Sequence, residues 1–222
     1  MKIKCRVCRE TSPHHILTST NAFGSPDLDL RPPQMKRGTM PFWVQKCPNC
    51  GYVASSIDEG TRATREFLES DSYKSAGGRN FKSPLAVKFY QQYLICVLDG
   101  KTEDAFYAAL HAAWACDDSH DRENAKFCRN LALEKIGTLL EGKRDHETFT
   151  LLKCDLLRRT GRFEELIAEY SEVTLKDKLL NKLLAFQIER AKDEDTSRYT
   201  VHEAANGGEE FDGEDDDDDD DE

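Results

Sequence analysis

From Ser83 to Glu189 the chain repeats apolar residues at the three-and-four spacing that lines one face of a helix. Ser83 and Pro84 supply a cap and a proline at the first helical position. Ala86, Phe89, Tyr90, Tyr93 and Val97 then form one stripe that stops at Gly100. Thr102 opens the next helix, whose inward face is all small: Ala105, Ala108, Ala109, Ala112, Ala113 and Cys116. A third stripe runs Ala125, Cys128, Leu131, Ala132, Ile136, Leu139 and Leu140 to Gly142, and a fourth runs Phe149, Leu152 and Leu156 to Gly161. Phe163, Leu166, Ile167, Tyr170 and Val173 make a fifth, and Leu180, Leu183, Leu184 and Ile188 a sixth. Helices this short, joined by brief turns, pack as antiparallel neighbours, so residues 83–195 are expected to form a helical array with a core of its own.

The flanks read differently. Ile57, Thr64, Phe67 and Leu68 predict a short amphipathic helix within 57–70, and 71–82 reads as a linker. Upstream, 1–56 is short and extended in character: the run after Phe42 alternates apolar and polar as a half-buried strand would. Three prolines, Pro26, Pro32 and Pro33, exclude helix around Leu28 and Leu30. Beyond Ala191 the apolar pattern stops, and 196–222 is expected to be a disordered acidic tail.

Four cysteines change this picture most. Cys5-Arg6-Val7-Cys8 and Cys47-Pro48-Asn49-Cys50 are C-x-x-C pairs, each able to present two sulfurs to one tetrahedral ion from a single turn. Together they make the ligand set of one closed, structural zinc site. With 38 residues between the pairs, that site would clamp a long loop shut. Gly51 suits the left-handed position that follows such a turn; Arg9 stands at the matching place in the first pair, at a cost on the order of 1 kcal/mol. Redox C-x-x-C pairs sit at helix starts after strands, which neither flank resembles, and His14 and His15 are alternative ligands. Cys96, Cys116, Cys128 and Cys154 lie on apolar helical faces and read as small hydrophobes.

Charge adds one more division. The net charge of −11 comes from Glu209–Glu222, with twelve acidic residues and no basic one, leaving 30 acidic against 31 basic in the body. Residues 1–52 hold eight basic and three acidic residues, so the tail is expected either to compete with any anionic ligand for the ribbon around Lys2, Lys4, Arg6, Arg9 and Lys46 or to stay solvated and touch nothing. No apolar run reaches the length of a membrane span, and Met1-Lys2-Ile3-Lys4 lacks a signal-peptide core, so a cytoplasmic protein with no membrane partner is expected.

Asp27, Asp29 and Arg31 are the remaining polar constellation, which alternation would place on one face of an extended segment, either to bind a basic partner or to make loop hydrogen bonds and a surface ion pair. The stretch Leu157–Glu165, with Gly161, Phe163 and Tyr170, resembles the turn of a tetratricopeptide repeat. The order Cys-x-x-Cys, Ser25-x-Asp27-x-Asp29-x-Arg31-Pro32, then Trp43-Val44-x-x-Cys47-Pro48-x-Cys50-Gly51-Tyr52 and paired helices resembles a bacterial family known only as a domain of unknown function. The likeness implies a zinc ribbon joined to TPR-like helices and supplies no activity. The expected fold is thus mainly α: an N-terminal zinc ribbon, a TPR-like array and the tail. No phosphate loop, nucleophile elbow or H-E-x-x-H is present, so a non-enzymatic scaffold binding a protein or peptide on the array is expected. The alternative is a nucleic-acid-associated ribbon with Phe42 and Trp43 exposed, gated by the tail.

Overall fold

The computed structural model describes residues 1–141 and 146–207. The expected stop at Gly142 and the acidic run Glu209–Glu222, with the competition for the ribbon drawn from it, lie outside those residues. The molecule is mainly helical, with ten helices among the described residues and two small antiparallel hairpins at the N-terminal end.

Each hairpin carries one cysteine pair at its tip. Strands β1 (Lys2–Lys4) and β2 (Thr11–Pro13) pair across the first, and β3 (Gln45–Lys46) and β4 (Val53–Ala54) across the second. The strand expected from Phe42 onward is reduced to Gln45–Lys46, because Pro41 sets a 3-10 turn over Met40–Phe42 that consumes the start of the run. Helix α1 (Gln34–Arg37) begins directly after Pro33.

The amphipathic helix expected across 57–70 is confined to α2 (Arg65–Glu69), because the chain before it is a turn and Thr64 is the residue that caps the helix, accepting from the Phe67 N–H. The stretch read as a linker carries α3 (Asp71–Lys74) and a buried Tyr73, whose hydroxyl donates to the Gly51 carbonyl at 2.8 Å. It therefore packs on the second hairpin instead of merely joining two parts.

The array consists of α4 (Pro84–Asp99), α5 (Thr102–Asp118), α6 (Arg122–Glu141), α7 (His146–Arg159), α8 (Phe163–Tyr170) and α9 (Lys178–Lys192). Each packs against the next, and α7 also packs against α9. The Ser83 hydroxyl accepts from the Ala86 N–H and Gly100 closes α4 at φ 73°, so both ends form as their residues dictate. The alanine face of α5 is buried throughout and lets α4 and α6 approach it from either side. Two stripe ends fall outside the core: Val97 and Val173 are exposed, the inward position of α4 passing to Cys96. Cys96, Cys116, Cys128 and Cys154 are buried, as apolar packing of small side chains requires.

Hairpins and array share one continuous core, running from Ile3, Val44, Tyr52 and Ile57 through Phe89 and Phe106 to Leu184. Polar seams reinforce it, since Gln91 donates to the Tyr73 carbonyl at 3.0 Å and accepts from Lys46 at 3.0 Å, while Gln92 donates to Ser55 at 2.9 Å. The core expected of the array alone is extended by the hairpins, because α4 packs against β4 as well as α5. Residues 196–207, assigned above to the tail, are folded: they form a bridge at Thr200 and the short helix α10 (Val201–Ala205), which packs on α9.

Candidate metal centre and the loop it closes

The two cysteine turns are near copies of each other. Cys5 N–H donates to the Glu10 carbonyl at 2.9 Å and Cys47 N–H to that of Tyr52 at 2.8 Å; Arg9 N–H returns to Cys5 at 3.0 Å and Gly51 N–H to Cys47 at 2.9 Å. Arg9 and Gly51 both adopt left-handed backbone, at φ 67° and 76°. The first turn therefore keeps the geometry of the second in spite of its side chain. Arg6 N–H donates to the Ile57 carbonyl at 2.8 Å and fastens the first hairpin to the end of the second.

Cys5, Cys8, Cys47 and Cys50 bring their four sulfurs within 4.8 Å of one another, with Cys5 to Cys50 and Cys8 to Cys47 at 3.6 Å. A tetrahedral ion bonded to sulfur at about 2.3 Å sets its ligands about 3.8 Å apart, so the donor set fits a metal ion, whereas a disulfide needs about 2 Å. Burial pushes the Cys5 and Cys50 thiols up. It also opposes ionisation of Cys8, but bonds from the Asn49 side chain and the Glu10 backbone outweigh it and bring that thiol down to about 6. Four thiolates this close need a cation to share their charge, so affinity falls as acid protonates them. His14 bonds to Ser12 at 2.8 Å and His15 stacks edge-on with Phe42; neither joins the cluster.

The 38 residues between the pairs are pinned at their middle as well. Asp27, Asp29 and Arg31 come together in a tight turn and not in an extended segment: Asp27 N–H donates to the Arg31 carbonyl at 2.9 Å, and Leu30 N–H to that of Asp27 at 2.9 Å. The Asp29 carboxylate causes the turn by accepting the Arg31 N–H at 3.2 Å, which forces Leu30 to φ 64°. All three polar side chains are buried, at 1–3% exposure, and of the two expected roles Asp29 takes the loop-to-backbone hydrogen bond.

Each has a distinct set of partners. Asp29 accepts the Trp114 indole N–H at 2.8 Å and lies 3.8 Å from the Arg129 guanidinium. Burial and nearby Asp155 push its carboxyl up, against the pull of Arg129, Arg159 and Trp114. Asp27 accepts from Arg37 at 3.3 Å with Arg198 at 3.8 Å, yet burial and the charge of Asp29 raise it to about 6. Arg31 pairs with Asp118 at the end of α5.

The C-terminal segment straps across this turn. Leu28 N–H donates to the Tyr199 carbonyl at 2.9 Å and Val201 N–H to that of Pro26 at 2.8 Å. Arg158, wholly buried in α7, holds the strap by donating to the Ser197 and Asp195 carbonyls at 2.6 and 3.1 Å while pairing with Asp155 at 2.6 Å. Thr200-Val-His-Glu203 is a capping box, a sequence signal for α10 that the reading above missed. The contacts that tie Trp114 and Arg129 to Asp29 and Arg158 to the strap leave no local signal, because they span 85, 100 and 39 residues of chain.

Two substitutions test these assignments. Asp29→Ala orphans the Trp114 N–H and removes a partner of Arg129, and is expected to cost about 3–5 kcal/mol in urea unfolding; a loss under about 1 kcal/mol would show that the carboxylate ties nothing. Arg9→Gly relieves a left-handed arginine and is expected to stabilise the metal-bound protein by about 1 kcal/mol, and a loss of stability would contradict the equivalence of the two turns.

No curated protein and no solved structure matches the chain. The family model described as "Uncharacterized protein conserved in bacteria (DUF2225)" matches residues 1–196, a span that takes in both cysteine turns, the Asp27–Arg31 turn and every helix through α9, and the chain belongs to that family.

Proposed function

We propose that this protein is a non-enzymatic, zinc-stapled scaffold whose TPR-like helices and ribbon together grip an apolar segment of a partner protein in the bacterial cytoplasm. Zinc is the ion this reading places among Cys5, Cys8, Cys47 and Cys50, because four thiolates in tetrahedral array suit it best. Such a set leaves no open position for water or substrate, so the ion would shape the surface and take no part in chemistry.

The observation that carries the reading is an aromatic groove at the junction of ribbon and array. A cavity of about 330 Å³ is lined by Leu30, Pro32, Trp43, Tyr107, His111 and Trp114, with Lys36 its one charged wall. Both tryptophans of the chain are here, and their N–H groups are already satisfied, Trp43 by Thr39 at 2.9 Å and Trp114 by Asp29. Trp114 is itself buried, and the half-buried ring of Trp43 remains as apolar contact surface. His111 sits among Trp43, Phe89 and Trp114 at 4.9–5.2 Å between ring centroids, and burial lowers it to about 4, so it acts there as a neutral aromatic. An extended segment with a proline or aromatic residue, flanked by a carboxylate for Lys36, matches this lining.

Purified without chelator, the protein is expected to hold one zinc per chain. Peptides selected on it from a random library are expected to carry a proline or aromatic residue beside Asp or Glu and to shift its tryptophan emission on binding. Leu30→Asn, which suits a left-handed backbone, should keep the fold and weaken those peptides about tenfold. Equal binding by that variant, or a selection yielding no peptide that changes the emission, would overturn the reading.

A further inference from the structure

A larger cavity lies elsewhere, at the end of the array where α5 stops, α6 starts and α7 stops, with Thr196–Arg198 of the C-terminal strap on its rim. It measures about 680 Å³, within the range of small-ligand sites. Six basic side chains line it, Arg31, Arg122, Lys126, Arg129, Arg159 and Arg198, against two carboxylates, Asp117 and Asp118.

Asp29, 3.8 Å from Arg129, and Asp27, 3.8 Å from Arg198, add two buried carboxylates outside the lining, and four acids still fall short of six bases. Asp117 is shared, taking both guanidinium nitrogens of Arg129 at 2.5 and 3.1 Å and one of Arg159 at 3.3 Å, while Asp118 is taken by Arg31. Among the described residues Arg198 pairs with Asp27 alone, at 3.8 Å. Among the described residues Arg122 and Lys126 have no ion-pair partner, and both stand exposed at the start of α6. Arg31 and Arg129 are buried, at 3% and 2% exposure, and each keeps an Nε without a hydrogen-bond partner. Arg159 shows the strain of this crowding: burial and the charge of Arg129 both depress its pKa. A fold needing only to neutralise these four carboxylates would not gather six cations around a hollow.

We propose that this cavity is a binding site for a small molecule bearing two or more phosphate groups. Guanidinium forks match phosphate oxygens two at a time, and low-dielectric walls focus the field of clustered cations into the hollow. The lining holds no Phe, Tyr or Trp against which a nucleobase would stack, so recognition falls on the phosphates. The site is separate from the aromatic groove and stands or falls independently of it; the Arg31 side chain lies between them, reaching the cavity from a turn whose Leu30 faces the groove.

Pyrophosphate is the probe, titrated calorimetrically into the full-length zinc-loaded protein at low salt. Saturable binding at one site per chain is expected, weakening as salt rises and not reproduced by chloride at equal ionic strength. Arg122→Ala with Lys126→Ala breaks no ion pair among the described residues; it should leave the circular dichroism and zinc content unchanged and lower the affinity at least about tenfold. No saturable heat, or equal affinity in the double variant, would overturn the proposal. Binding seen only after Asp215–Asp221 are all changed to Asn would also overturn it, reassigning the hollow to the chain's own acidic end.

Discussion

A carboxylate cut off from water has to be met by charge and by hydrogen bonds, and Asp29 is where this molecule meets that demand. Its partners come from three places in the chain: the Arg31 backbone, the Trp114 indole and the Arg129 guanidinium. Satisfying one side chain therefore seats the inter-cysteine loop on α5 and α6. The same demand bends the loop, since capturing the Arg31 N–H places Leu30 in left-handed backbone at the lip of the aromatic groove.

The cysteine cluster and the Asp29 contacts act on one piece of chain. The cluster joins the two ends of the loop, and the carboxylate fixes its middle to the array. Between these fixed points lie Pro32, Lys36 and Trp43, which form the ribbon side of the groove, while α5 provides the other side with Tyr107, His111 and Trp114. Arg31, next to Asp29, turns the opposite way and joins the cationic cavity. Both surfaces are thus consequences of a loop held at three points, and the C-terminal strap closes over its back through Leu28 and Tyr199.

Much of this was legible in the order of residues. Caps at Ser83, proline at Pro84 and stop at Gly100 are local chemistry, and α4 begins and ends at them. The cysteine spacing pointed to the four-sulfur cluster, because two turns of four residues contain nearly all of its geometry. Asp27, Asp29 and Arg31 stood out as a polar group among prolines, but alternation pointed to an extended face where the structure has a buried turn, since a turn closed by a distant tryptophan and arginine leaves no periodic trace. The strap at 196–205 was lost for a related reason: its hold comes from Arg158, a residue that reads as ordinary helix surface until its partners are known. Thr200 and Glu203 did announce a helix there.

The central claim is that the N-terminal hairpins and the array fold as one unit, joined by a continuous core and the Asp29 contacts. Scanning calorimetry of the metal-loaded protein tests it most directly. The account predicts one transition, with equal calorimetric and van't Hoff enthalpies, that moves as a whole to lower temperature when a chelator strips the metal. Two separate transitions, with the helical one unmoved by chelation, would contradict it.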